Sequence, residues 1–362
     1  MSSPLTRAIV IAVSLLVLTT GAGAQQQAVR PPIAQLWIDV ATNSFTVPGA
    51  PAMFGSGGQN QFGNTRFGVG RYVDIALLVR TRPQGVQATE AIPAALRLGP
   101  TLPLDPVRAE PSGPGQRDPA AAEAPKGRLI FYWGCSAEVR SGQPRVVDFS
   151  RGTPQEWATV WQGRYAPEAG ARALPGHSIW PNERDRRMLP EGASLVGDHT
   201  VTGDGVPAGM RFPLGPSQDL MPVIDLTAQG DLAASIPLRW RQLPTARAYF
   251  INAFGGKEND FIIWSSSDVP DAGMGLMDFL SNANIERWTN EKVLLPAATT
   301  QCAVPKGIFA GAEGAFVRMI AYGNELILVH PPRPANPQTT WEQEWTVRAR
   351  AKSMVTTVLM GR

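Results

Sequence analysis

Apolar residues in this chain recur at every second position over short runs, and glycine and proline separate the runs. A period of two puts successive side chains on opposite faces of an extended strand, so that one face can be buried. Such runs occupy residues 72–81 (YVDIALLVRT), 128–134 (RLIFYWG) and 145–149 (RVVDF). Further along come IPLRW, RAYFINAF, FIIWSS, AFVRMIAYG and WTVRARA. In IPLRW, Ile236, Leu238 and Trp240 share one face, and Pro237 and Arg239 the other. In RAYFINAF, Tyr249 and Ile251 are expected to point inward. The 36 Gly and 33 Pro between the runs supply turn chemistry. Their spacing predicts an all-β sandwich architecture rather than alternating strands and helices.

Two stretches read as helix instead. TPQEWATVW offers Thr153 as N-cap, Pro154 at the first helical position and Glu156 at the third, a capping-box arrangement. Residues 271–288 (DAGMGLMDFLSNANIERW) place Leu276, Phe279, Leu280 and Ala283 on one face with Asp271 as cap, predicting an amphipathic helix laid over an open end of the sandwich. Residues 105–126 lack the large apolar side chains that would offset ordering entropy, so they are expected to form a disordered insertion between two strands. Residues 53–71 read as a loop whose glycines neither follow a strand nor open a helix, which argues against a phosphate-cradling site. Residues 193–214 look like a connecting hairpin.

The N-terminus bears on compartment. Arg7, the apolar run AIVIAVSLLVL and the small-x-small AGA make residues 1–24 a secretory signal peptide, and imply an exported chain, periplasmic or secreted. That apolar core is shorter than the roughly 20 residues a membrane helix needs, and no later segment is long and apolar enough. The remainder is long enough for two domains. They are expected at 30–165 (a β-rich N-terminal domain) and 219–356, joined by a connecting segment, 166–218. With 33 basic and 30 acidic residues, there is no cationic stripe for a nucleic-acid backbone.

The order of runs in the last third is more specific. MPVIDLT, IPLRWRQLPTARAYFINAFG and FIIWSS resemble the first strands of a fibronectin type III or related immunoglobulin-like domain. In that pattern Trp240 ends the second strand, Pro244 lies in the turn, and Ala246 with Tyr249 opens the third. TTQCAVPKGIF resembles the family's Thr-rich strand ending in Val-Pro, and AFVRMIAYGNEL and EWTVRARA its last two strands. The resemblance spans residues 219–352 and implies a two-sheet sandwich with the Trp240 indole in its core, a burial that stabilises by about 2–3 kcal/mol. Relative to that pattern the 271–288 helix is an insertion. The fold expected is therefore mainly β, with two β-sandwich-like domains, the C-terminal one fibronectin III/Ig-like with an inserted amphipathic helix.

Candidate chemistry is sparse. Cys135 and Cys302 either pair, which would tie the two halves together, or lie as separate buried thiols. His177, His199 and His330 lack the close spacing of a zinc site, and no cofactor or metal is implied. Ser178 in GHSIW begins like a nucleophile elbow, but Trp180 stands where the second glycine belongs, so a loop serine beside a capping histidine is the simpler reading. Asp198 with Asp204, and Glu342 with Glu344 in WEQEW, are carboxylate pairs of the kind that act on sugars when roughly 5–10 Å apart. For WEQEW the plainer alternative is a solvated strand face over buried Trp341 and Trp345. NERDRR reads as a solvated loop. Trp157, Trp161, Trp180 and Trp288 sit in helix or loop contexts where exposed rings could stack on a glycan or anchor a partner, with core packing the alternative. The function expected is a non-enzymatic exported module that binds a protein or cell-envelope component, or plays a structural part. A glycan-binding or glycan-active envelope protein is the second reading.

Overall fold

The computed structural model describes residues 27–46, 59–108, 127–151, 153, 163–167, 169–228 and 230–360. The predicted signal peptide, the helix after Thr153 with Trp157 and Trp161, and most of the predicted insertion lie outside them. The first strands are β1 (Val29–Arg30), β2 (Ala34–Phe45), β3 (Gly70–Val79), β4 (Ala88–Ala91), β5 (Thr101–Pro106), β6 (Arg128–Trp133) and β7 (Arg145–Asp148). Then come β8 (His177–Trp180), β9 (Gly197–Gly203), β10 (Arg211–Leu214), β11 (Thr227–Ala228), β12 (Ile236–Arg239), β13 (Ala248–Lys257) and β14 (Asp260–Ser265). The last are β15 (Leu295–Pro296), β16 (Gln301–Val304), β17 (Gly314–His330), β18 (Trp341–Glu342) and β19 (Trp345–Met360). Among the described residues, two α-helices, α1 (Asn64–Phe67) and α2 (Asn282–Asn290), and short 3-10 turns accompany these strands. The fold is mainly β.

A large sheet orders its strands β10-β9-β4-β5-β8-β3-β2-β19-β17-β13-β14-β6-β7, with β15 on β13. A separate three-stranded sheet runs β11-β12-β16. Strands from the two ends of the sequence interleave: β2 pairs in parallel with β19, and β6 pairs in parallel with β14. Residues 166–218 contribute β8, β9 and β10 to the same sheet, the last two as the expected antiparallel hairpin. Asp105 and Pro106, predicted to open the insertion, finish β5 against β8.

The period-two pattern explains which face is buried. Leu36, Ile38 and Val40 of β2, Val73, Ile75 and Leu77 of β3, and Val347, Ala349 and Ala351 of β19 enter one core cluster. Ile236, Leu238 and Trp240 join that cluster from the three-stranded sheet, as do Tyr249 and Ile251 from β13. Trp240 is 5 % exposed and meets Tyr249 edge-on at 5.6 Å, while the Tyr249 hydroxyl accepts from Leu243 N–H at 3.0 Å. The Trp240 indole N–H finds no acceptor among the described residues.

The stretch 271–288 is not one helix. It makes a 3-10 turn at Met274–Leu276 and then the shorter α2, whose N-cap is Ser281 accepting from Asn284 N–H at 3.2 Å. Asp271 is buried and caps nothing in α2; it accepts from Gly273 N–H at 2.9 Å. Gly273 sits at φ 79°, a left-handed conformation that no helix running on from Asp271 adopts, so the first helical turn begins only after it. Ala283 is exposed, but Leu276, Leu280, Ile285 and Trp288 still pack together over Phe250, Ile320 and Tyr322 on the second face of the sheet.

Cys135, just past β6, is bonded to Cys302 in β16, so the large sheet and the three-stranded sheet are tied covalently. The bond closes a loop of 167 residues. Long loops lose much chain entropy when closed, so the Cys135→Ser/Cys302→Ser double variant is expected to lose about 2–5 kcal/mol. Urea denaturation of the disulfide-bonded wild type and the cysteine-free variant, both without reductant, reads this; an unchanged midpoint would refute it.

Candidate functional site

The residues singled out in the sequence are dispersed. Ser178 lies in β8, wholly buried, and its hydroxyl accepts from Val86 N–H at 3.1 Å and donates to Val86 carbonyl oxygen. It is a strand serine rather than a loop serine, and its oxygen is committed to backbone. Trp180, two positions on, is 0 % exposed, and Trp288 on the inner side of α2 is 4 % exposed. Neither ring is available to a ligand: strand alternation turns one into the core, and helical periodicity turns the other onto the sheet. Asp204 pairs with Arg82 at 2.6 Å, Asp198 is exposed, and Glu342 pairs with Arg30 at 3.1 Å. Glu342 ends β18 while Glu344 precedes β19 and stands 3.9 Å from His330, so WEQEW is not a single strand face. In NERDRR, Arg184 pairs with Asp105 and Arg187 with Asp185.

The histidines are separate. His177 lies against Trp37, and His199 is buried with its two ring nitrogens 2.8 Å from the Glu90 carboxylate and 2.8 Å from Leu195 carbonyl oxygen. Among the described residues no three His, Cys, Asp or Glu side chains are grouped to hold a metal.

A denser chemistry lies on the second face of the sheet. Four adjacent strands place Asp74 (β3), Asp39 (β2), Arg350 (β19) and Glu325 (β17) in one transverse row. A register shift between Tyr322 and Glu325 in β17 brings Glu325 onto this face. Arg350 meets Asp39 in a fork, Nε to Oδ1 at 2.8 Å and Nη2 to Oδ2 at 2.7 Å, with both residues 5 % exposed. Ala171 N–H donates to the same carboxylate at 2.9 Å, and Arg348 pairs with Glu325 at 3.2 Å. Burial works against the charge on Arg350, but Asp39 outweighs it and raises the guanidinium pKa.

Lys352, one position further along this face, is wholly buried. Its ammonium is 3.4 Å from Met277 carbonyl oxygen, 3.5 Å from Asp278 and 4.5 Å from the Phe279 ring centroid. Desolvation lowers its pKa despite Asp278. For Asp278, burial would raise the carboxyl, but Lys352, the Phe279 N–H and Arg66 bring it below its ordinary value. Asp74 goes the other way. Desolvation pushes it up to about 7, against hydrogen bonds from the Thr65 hydroxyl and Gly63 N–H.

These charges floor a cleft. A cavity of about 280 Å³ opens between α1, residues 165–167 and the turn 274–279, with Arg350, Asp278 and Phe279 inside. Phe67, Tyr165 and Met274 rim it and are 60 %, 59 % and 43 % exposed. Arg66 stands at its wall, 3.5 Å from Asp278, and separates it from a second hollow of about 240 Å³ that reaches Asp74. Arg318 of β17 lies 5.8 Å from the Phe67 ring centroid and 3.6 Å from the Met277 sulfur. The arrangement can hold charge beside apolar surface. No family model matches the chain, and no curated protein matches it.

None of the residues of this cleft carries a sequence motif for binding, and Phe279 reads only as part of a helix face. One signal was there: Asp39 in LWIDVAT and Asp74 in RYVDIALLV are single acids inside apolar strand runs, where a carboxylate costs several kcal/mol unless compensated.

Two outcomes follow from the row. A Cβ on Gly170 would collide with the Arg350 guanidinium and the Asp39 carboxylate. Gly170→Ala is therefore expected to cost about 3 kcal/mol or more, the penalty of breaking a buried ion pair, read as a drop in unfolding midpoint. For Asp74, the folded carboxyl keeps a proton that the unfolded one releases near pH 4, so its contribution is complete below that and is lost as pH rises through about 7. Asp74→Asn, whose amide keeps an acceptor for Gly63, should match wild type near pH 4 and exceed it at pH 8. Tm profiles test this; parallel profiles over that range would contradict it.

Proposed function

We propose that the protein is an exported, non-enzymatic β-sandwich module that binds a component of the cell envelope through the cleft rimmed by Phe67, Tyr165 and Met274. One observation carries this reading: three large apolar side chains stand open to solvent around a cavity whose floor is ionic. Exposed apolar groups beside fixed charges are the composition of a binding site. The groups that catalysis would need are otherwise engaged, Ser178 with Val86, the cysteines with each other and Asp39 with Arg350. Export rests on the pattern of residues 1–24.

Kinship of residues 219–352 with fibronectin III/Ig-like domains belongs to the same proposal, and strand order supports it. In such sandwiches strands A, B and E share one sheet and C, F and G the other. Here β11, β12 and β16 form one sheet, and β13, β17 and β19 are neighbours in the other. The glycan reading has less to draw on, because Trp180 and Trp288 are buried and the carboxylates Asp198, Asp204, Glu342 and Glu344 are dispersed.

The test is capture from a cell-envelope fraction on the immobilised full chain, compared with the Phe67→Ser/Tyr165→Ser double variant. Both side chains are exposed, so the variant should keep the wild-type Tm. Capture should fall at least tenfold; equal capture by a folded variant would remove the cleft from the function.

A further inference from the structure

A larger hollow lies further along the same face of the large sheet, between residues 60–62, the end of β5 and residues 179–186. Ile179 of β8 stands opposite Asp105 of β5 and Ala76 of β3, two positions from Asp74, so strand alternation sets the hollow on the face that carries the charged row. Its volume is about 920 Å³, and it shares no lining residue with the cleft. Small-molecule sites run to roughly 300–1,000 Å³. One wall is a polar plate formed in advance. Arg184 forks the Asp105 carboxylate and donates from Nη2 to Gln87 Oε1 at 3.0 Å, while Gln87 Nε2 donates to Asp105 Oδ1 at 3.2 Å. Phe62, Ile179 and Pro181 add apolar surface beside it.

Two demands in this lining are unmet. Asn60 is wholly buried, and its Nδ2 donates to the Arg187 carbonyl oxygen at 3.3 Å, which fixes the orientation of the amide. Its Oδ1 is then left without a donor, and a buried acceptor in that state signals a missing partner. Arg108 and Arg186 make the second demand. Neither is ion-paired among the described residues, and Arg186 Nη1 has only the Gln59 amide oxygen, at 3.4 Å. Asp105 is taken by Arg184, so Glu183 is the carboxylate of the lining that remains to answer both.

We infer that this hollow holds an acidic saccharide, a sugar unit that carries a carboxylate. Hydroxyl groups both donate and accept, so they supply the donor that Asn60 lacks and match the alternating donors and acceptors of the Gln87–Asp105–Arg184 plate. The carboxylate faces Arg186 and Arg108. The C–H face of the ring lies along Phe62 and Pro181. A neutral sugar leaves the two guanidinium groups unanswered, and a simple carboxylate offers Asn60 no donor and the apolar wall no surface. The inference does not rest on the cleft reading and can fail without it.

Isothermal titration of the full chain with trigalacturonate, trimannuronate, maltotriose, triglucosamine and acetate tests this. At least one uronate trimer should bind tenfold or more tightly than the neutral trimer, the cationic trimer and acetate. Arg186→Gln, at an exposed position, should keep the wild-type Tm and weaken the uronate about tenfold. Arg239→Gln, equally exposed but on the three-stranded sheet, should leave binding unchanged. Glu183→Gln removes the competing carboxylate and should tighten the uronate severalfold, a gain that loss of structure would not give. The proposal is overturned if neither uronate binds, or if maltotriose or acetate binds as well as the uronates. It is equally overturned if Arg186→Gln does no more than Arg239→Gln, or if Glu183→Gln brings no gain.

Discussion

The forked ion pair between Arg350 and Asp39 joins the two parallel strands that connect the beginning and end of the chain. Two charges taken from water into a site 5 % exposed cost several kcal/mol each before their attraction is counted. That penalty is offset only if the fork is well formed and the spare lone pairs are used, as they are by the Ala171 N–H on Asp39. The constraint spreads outward. Residues 169–171 must lie close over the pair, Gly170 must carry no side chain, and Arg348 with Glu325 must shield the next position in the row.

The two faces of the large sheet divide the work. One face is largely apolar, with Ser178 and the Glu90–His199 pair buried among its hydrophobic side chains, and shares its core with the three-stranded sheet, so the disulfide between Cys135 and Cys302 fastens layers that hydrophobic burial already holds together. The other face is half apolar, where α2 and the turn before it cover Phe250, Ile320 and Tyr322, and half ionic, where the charged row is roofed by α1 and residues 169–174. The cleft opens at the seam between those halves. A mixed lining of aromatic, thioether and charged groups follows from that position, because each half supplies its own kind of side chain to the common edge.

Much of the fold could be read directly. The alternating runs from residues 72–81 to WTVRARA correspond to strands, whereas MPVIDLT enters a strand only at Thr227; Trp240, Tyr249 and Ile251 are core residues because period-two placement decides which face they occupy. The helix at 271–288 was overextended because its apolar spacing is helical while Gly273 imposes a left-handed turn that spacing does not register. Trp180 and Trp288, candidates for ligand contact from their apparent loop and helix contexts, take the core-packing alternative, because local context says nothing about which side of a strand or helix is covered.

What the sequence determined by itself was local: the strand period, the turn positions, the near-neutral charge and the absence of a spaced metal or nucleophile motif. The cleft was decided only by tertiary structure. In WTVRARAKSM the cations Arg348, Arg350 and Lys352 alternate with apolar residues just as they would on a solvent-facing strand. Periodicity assigns them to one face and cannot say that the face is roofed. Parallel pairing of β2 with β19, more than 300 residues apart in the chain, brings Asp39 to Arg350. Burial then turns an ordinary polar face into fixed charges at the floor of a cavity, since the energy of a charge depends on the medium around it and not on its neighbours in sequence.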